Sequence, residues 1–231
     1  MDGGSMLTIQ GSYNLRRSAG EPWLYRSAAL DALDHNDVHA LQALGIDRII
    51  DLREHRERST DGTSILTTHI PIYELPDGPP QSGTLDSIYN FMLFERGHRL
   101  SDAVAAIARS EAPVLVHCTA GKDRTGLVVA LALRAAGIDE ATVVDDYAAS
   151  GLHIRPQRHE LVTSALSAMG LGVTQLADAL ELHLDSPAKA LTDALAEIRT
   201  RFGGVDEYLL AHRVTTQDLA ALRAKRAVDH G

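Results

Sequence analysis

A lone cysteine, Cys118, stands in a chain of 231 residues. It follows the apolar residues Val114, Leu115 and Val116 and then His117. Arg124 comes six positions later, across Thr119, Ala120, Gly121, Lys122 and Asp123. An apolar strand that gives way to a polar loop, with a helix starting near Thr125, concentrates two anion-binding features at one point. The amides of residues 119–124 can face inward as a nest, and the positive end of the helix aims at the same place. A thiol in such a setting favours the thiolate, which is the nucleophilic form. The planar guanidinium of Arg124 can grip two phosphate oxygens. Thiolate, amide cradle and clamp together suit cleavage of a phosphate ester through a cysteinyl-phosphate intermediate. Taken singly, a cysteine after an apolar strand is most often an inert core residue. The joint spacing is what points to chemistry. A Walker A nucleotide loop is excluded, since Asp123 follows Gly121-Lys122 and Val116 stands where its first glycine belongs.

The leaving alkoxide or phenoxide needs a proton, so an acid is required. Three carboxylates compete. Asp51 ends the run "RIID" and ranks first: a strand there, parallel to the cysteine strand, would bring it to the same rim of the sheet. Asp123, inside the loop, ranks second, with Lys122 or Arg124 as partners for its charge. Asp77, in "LPDGPP", ranks third, and a plain turn residue before Gly78 is the preferred reading. Arg53 either shapes the rim or pairs on the surface with Glu57. Lys122 adds a second cation beside the phosphate. That charge either supports one phosphate or favours multiply phosphorylated substrates such as phosphoinositides.

These residues need a scaffold. Residues 24–26, 48–52, 68–73 and 114–116 read as strands. A compact helix is expected after a cap among residues 34–36, stopped by Gly45, and a long amphipathic helix over residues 85–109. From Gly126 onward the chain reads as helices alone, including separate ones in "DEATVVDDYAAS" and "PQRHELVTSALSAMG". Strands alternating with helices predict an α/β fold: a mostly parallel central sheet flanked by helices, with a helix-rich C-terminal half. Residues 6–231 read as a single domain, and residues 1–5 as a cloning scar or disordered start. The 45% of hydrophobic residues suffices for a core, and the net charge of -9 argues against a nucleic-acid-binding face. One cysteine excludes an intrachain disulfide framework. His35 and His39 are spaced for metal binding but lack an evident third ligand, so no metal is expected. No stretch is long and apolar enough for a membrane span, and no leader is visible. A cytoplasmic location is the default expectation, with signal-less export as the alternative.

The run "HCTAGKDRTG" resembles the signature loop of the cysteine-dependent protein tyrosine phosphatase superfamily. Its Gly-Lys-Asp-Arg core is similar to that of the bacterial and fungal tyrosine/serine phosphatases, some of which also act on phosphoinositides. "YNLR", "LYRSAAL", "LGIDRIIDLREHRER", "FGGVDEYL" and "TTQDLAALRAKR" resemble recurring stretches of that branch. Where the branch has Asp and paired glycines after its early "N-x-R", this chain has Arg17, Ser18, Ala19 and Gly20. The resemblance implies a three-layer phosphatase-like fold, with no cofactor. It makes Cys118 the nucleophile and Arg124 the phosphate-binding arginine. Thr125 would donate its hydroxyl to the sulfur or cap the helix, and His117 would orient the loop or pack structurally. The Asp51-Leu52-Arg53 stretch would belong to the site. The implied substrates are phosphotyrosine first, then phosphoserine/threonine or phosphoinositide, with phosphate or vanadate as ligands. A phosphate-binding module without turnover is the alternative of another class.

Overall fold

The computed structural model describes residues 9–58, 63–76, 78–80, 83–170 and 172–227. Five strands form one sheet in the order β1-β2-β5-β3-β4, with β1 Arg16–Arg17, β2 Leu24–Ser27, β3 Arg48–Asp51, β4 Leu66–His69 and β5 Val114–His117. β1 is an antiparallel edge, and the other neighbours pair in parallel. β5 is the central strand and is buried throughout, as an apolar run with helices on both faces requires.

Side chains alternate across this sheet with period two. Tyr25, Ile49 and Leu115 face one layer, where α1 (His35–Ala43) contributes Leu41. Leu24, Ile50, Val114 and Val116 face the other. There α3 (Gly97–Arg109) and α4 (Asp123–Ala135) supply Leu100, Val104, Val128 and Leu131. Register then fixes the site. Ser27 and Asp51 both lie opposite His117, so β2, β3 and β5 end at one level and their following loops meet there.

Three elements differ from the sequence reading. The strand expected over residues 68–73 is β4, Leu66–His69, because its pairing with β3 runs from Arg48–Leu66 to Asp51–His69. Ile70, Ile72 and Tyr73 are buried by packing against helices, so their apolar spacing reports burial and not strand pairing. The helix expected over residues 85–109 is interrupted. α2 spans Leu85–Asn90, a π-helical turn spans Phe91–Glu95, and α3 starts at Gly97. A Cβ at Gly97 would lie 2.8 Å from the Tyr208 hydroxyl, so the chain comes close to a neighbouring helix there. The two helices expected within 139–170 are one, α5 Glu140–Ser167, with Pro156 inside it. An interior proline costs about 3 kcal/mol. Ile154, Val162 and Leu166 are buried with Leu184 in a shared cluster. At about 1.5–3 kcal/mol for each buried side chain, that packing outweighs the cost.

The remaining helices are α6 Val173–Leu184, α7 Ala188–Phe202, α8 Val205–Ala211 and α9 Thr216–Ala227. Among the described residues no helix is long and apolar enough to cross a membrane, and no group of metal-ligating side chains could hold an ion. Residues 1–5 and Asp77 lie outside the described residues.

Candidate active site

Cys118 follows the last residue of β5 as a free thiol, only 3% exposed. The loop after it is held by its carbonyls. The amide of Ala29 donates to Thr119 O at 3.1 Å. Asn14 Nδ2 donates to Ala120 O at 3.2 Å and to Gly121 O at 3.0 Å. Arg26 Nη2 also donates to Gly121 O, at 2.9 Å. In a trans peptide the carbonyl of one residue and the N–H of the next point in opposite directions. Three carbonyls anchored outward therefore turn the amides of Ala120, Gly121 and Lys122 the other way. Successive amides turned this way have the form of an anion nest. Gly121 sits at φ +69°, and a Cβ there would lie 2.2 Å from Ser27 O, so only glycine fits.

The supports are themselves fixed. Arg26 is fully buried and its Nη1 donates to Asp146 Oδ2 at 2.6 Å. Arg16 Nε donates to the other oxygen of Asp146 at 3.1 Å. Burial alone would raise the Asp146 carboxyl, but the two guanidinium groups hold it below the usual range. Ala19 at φ +53° and Gly20 at φ +78° form a left-handed turn after β1, at the positions where the sequence departs from the related pattern.

Arg124 lies in the first turn of α4, 6% exposed. Its Nη1 donates to Glu57 Oε2 at 2.5 Å and its Nη2 to Glu57 Oε1 at 2.7 Å. Nη1 also reaches Leu52 O at 3.4 Å and Nη2 reaches Thr119 Oγ1 at 3.3 Å. Glu57 thus takes both Nη atoms, and among the described residues Nε meets no acceptor. Burial acts to raise the Glu57 carboxyl, yet Arg124 holds it low. The Tyr73 ring lies 5.3 Å from the Arg124 guanidinium, within cation–π range. The Glu54 carboxylate pins that ring's backbone by accepting from the amides of Tyr73 at 2.9 Å and Glu74 at 3.1 Å.

Asp51 reaches the expected level of the sheet, but its carboxylate is committed. Oδ1 accepts from the Arg53 amide and Nε, both at 3.0 Å, and Oδ2 accepts from Arg53 Nη2 at 3.0 Å. Arg58 adds an ion pair at 3.2 Å. Burial opposes ionisation of Asp51, but Arg53 and His117 keep its carboxyl below the ordinary value. A group held as a carboxylate and 2% exposed is poorly placed to protonate a leaving group. Arg53 is buried and bridges Asp51 and Asp31, with only the backbone carbonyl of Glu57 as a contact, so the surface pair with Glu57 is not formed. His117 is buried and pushed down to about 4 by burial, so it is neutral near pH 7.

Lys122 also departs from expectation. Its side chain is 1% exposed, and Nζ donates to Leu182 O at 2.6 Å and Asp185 O at 2.7 Å at the end of α6. The ammonium thus ties down α6, while the Lys122 amide remains in the nest. Asp123, with a side chain 27% exposed, lies 3.6 Å from Lys122 Nζ and accepts from the Tyr89 hydroxyl at 2.9 Å. Tyr73 is acted on by the charges of Arg124, Asp123, Cys118 and Glu57, which places these four groups in one neighbourhood. Thr125 Oγ1 is buried and has no partner among the described residues.

The sequence reading missed Asn14, Arg26, Asp146, Tyr89 and Tyr147, and gave Glu57 only as a surface partner of Arg53. The first two fall within "YNLR" and "LYRS", stretches already matched to the related branch without a role. One curated relative is a triple specificity protein phosphatase, PtpB, of Mycobacterium tuberculosis, 30% identical over 54% of this chain and 59% of its own. Another is a tyrosine-protein phosphatase of Nostoc commune, 27% identical over 87% of this chain and 72% of its own. This chain thus aligns with somewhat over half the length of the first relative and nearly three-quarters of the second. Among solved structures, TpbA of P. aeruginosa matches 76% of this chain and 95% of its own at 20% identity, with a TM-score of 0.45. The model of the tyrosine phosphatase family matches residues 7–227, and the chain belongs to that family.

Proposed function

We propose that this protein hydrolyses phosphomonoesters through a cysteinyl-phosphate, with phosphotyrosine in proteins as its leading substrate. The observation that carries this reading is the outward anchoring of the Thr119, Ala120 and Gly121 carbonyls beside Cys118, which forms an anion nest around the thiol. In the first step the Cys118 thiolate attacks phosphorus, an S–P bond forms and the P–O ester bond breaks. The departing oxygen takes a proton from the Asp123 carboxyl. In the second step water attacks phosphorus and gives its proton to the Asp123 carboxylate, and the S–P bond breaks to return the thiolate. The nest amides and the Nε edge of Arg124 hold the equatorial oxygens, where charge is spread in the transition state. The unpartnered Thr125 hydroxyl donates to the departing sulfur.

Asp123 takes the acid role in preference to Asp51, because Asp123 keeps part of its carboxyl exposed and Asp51 is saturated by Arg53. A thiol 3% exposed favours an ester whose phosphate stands on a long rigid arm, as in phosphotyrosine. Phosphoserine, phosphothreonine and phosphoinositides form the secondary class, supported by a relative named for triple specificity. The test is hydrolysis of p-nitrophenyl phosphate with and without vanadate, followed by a panel of phosphopeptides and phosphoinositides. Cys118→Ser should abolish turnover and retain anion binding. Turnover by that variant at the wild-type rate would remove the covalent mechanism.

A further inference from the structure

Behind Asp123 lies a buried pair of phenols that the mechanism above does not use. The Tyr89 hydroxyl donates to Asp123 Oδ1 at 2.9 Å and lies 2.6 Å from the Tyr147 hydroxyl. A phenol has one proton to give. With the Tyr89 proton on Asp123, the Tyr147 proton must point to Tyr89. The chain therefore runs one way, from Tyr147 to Tyr89 to the carboxylate. Both hydroxyls are shifted above the ordinary phenol value by burial, so both stay protonated at any pH near neutrality. The rings meet edge to face at 77°, with centroids 6.3 Å apart.

The fold makes room for this pair. Tyr89 lies at the end of α2, just before the π-helical turn Phe91–Glu95. Tyr147 is carried by α5 and lies against α4 at Gly126, where a Cβ would stand 2.8 Å from its ring. The glycine that follows Thr125 is thus the site at which the Tyr147 ring reaches the helix. Lys122 Nζ lies 3.6 Å from Asp123 and the Tyr89 hydroxyl donates to it, while the charge of Asp123 also acts on Tyr73, on Tyr147 and on His183 of α6.

We infer that Tyr89, itself oriented by Tyr147, is a positioning residue that holds Asp123 Oδ1 and leaves Oδ2 to exchange the proton with substrate. This rests on the proposed acid–base role of Asp123. A donor to one carboxylate oxygen fixes the rotamer of the group. Without that donor the carboxyl is no longer aimed.

The test is Tyr89→Phe, assayed on an alkyl phosphate with a poor leaving group and on an activated aryl phosphate. The expected kcat/KM falls about tenfold for the alkyl ester and much less for the aryl ester, since only the former depends on the acid. Tyr147→Phe should give the same pattern at smaller size, and it carries the test if Tyr89→Phe does not fold. In an Asp123→Asn background, Tyr89→Phe should cost nothing further. Equal losses on both esters would overturn the inference, as would a loss that multiplies in the double variant. Wild-type rates in Asp123→Asn alone would overturn it together with the acid assignment. A crippled Asp123→Asn beside an unaffected Tyr89→Phe would remove this inference and leave that assignment standing.

Discussion

The Glu57–Arg124 pair makes a prediction whose sign separates two uses of one contact. Both side chains are largely buried, and two N–H···O bonds of 2.5 and 2.7 Å join them. If the carboxylate aims the guanidinium, Glu57→Gln should weaken anion binding. If it blocks the guanidinium, the same change should strengthen it. Removing one partner of a buried ion pair costs about 3–5 kcal/mol, because the other charge stays buried and unpaired. Glutamine keeps the shape and one acceptor, so the lower end applies, about 3 kcal/mol. For a chain of this size each kcal/mol moves Tm by about 2 °C, giving a fall of about 6 °C. An aim lost by about 1 Å costs on the order of 100-fold in rate. We expect kcat/KM for p-nitrophenyl phosphate to fall by about that factor, and vanadate to inhibit less strongly. Steady-state kinetics, vanadate titration and a thermal melt measure all three. Tighter vanadate inhibition with an unchanged or raised kcat/KM would refute the aiming role and make Glu57 a competitor of the substrate.

Gly121→Ala should reduce kcat/KM by about 100-fold or more, since the new Cβ would collide with Ser27 O and turn the nest amides; retained kinetics would show that the nest tolerates displacement. Lys122→Met should lower phosphotyrosine and phosphoinositide hydrolysis by the same factor and speed proteolysis near the end of α6, because Nζ is bound to Leu182 O and Asp185 O; a selective loss on the lipid would return the ammonium to the substrate. His117 has a folded value of about 4 against 6.5 in the open chain, so its contribution to stability is complete above pH 6.5 and is lost as pH falls toward 4. That loss amounts to about 3 kcal/mol, and denaturant melts across this range should be flatter in His117→Asn. Below that window the carboxylates of Asp51, Glu57 and Asp146, all depressed in the fold, lose their contribution as pH drops under their open-chain values of 3.8–4.5.

The parts of the site legible in the sequence are those whose chemistry is local. Cys118, the nest residues, Arg124 and Thr125 are nearly contiguous, and their order along β5, loop and α4 fixes their relative placement. Alternation and apolar runs likewise gave β2, β3 and β5, and parallel pairing brought Asp51 level with His117 as expected. What register could not give was the direction of a side chain's commitments. Asp51 is answered by Arg53, two residues on, so a carboxylate at the right height is nevertheless occupied. The Lys122 ammonium is taken up for the opposite reason: its partners are backbone carbonyls sixty or more residues away, and carbonyls leave no trace in composition. The apolar spacing over residues 68–73 and the unbroken helix over 85–109 misled because periodicity records burial without naming the neighbour that buries.

The most distant contributions to the nest also couple it to the rest of the fold. Asn14 and Arg26 grip loop carbonyls about a hundred positions away, and Asp146 of α5 neutralises Arg26 and Arg16 together. A loop of successive inward amides has no stabilising partner of its own in the absence of an anion, and inward amides without a ligand repel one another. The opposing force comes from donors placed on the outer side: Asn14 just before β1 and Arg26 on β2, the latter held by Asp146 of α5. The same long-range contacts that no local pattern reveals are those that hold the loop in an anion-ready shape before substrate arrives. In the proposed reaction the cost of ordering the loop is then met during folding, and the binding energy of the phosphate is left for the chemical step.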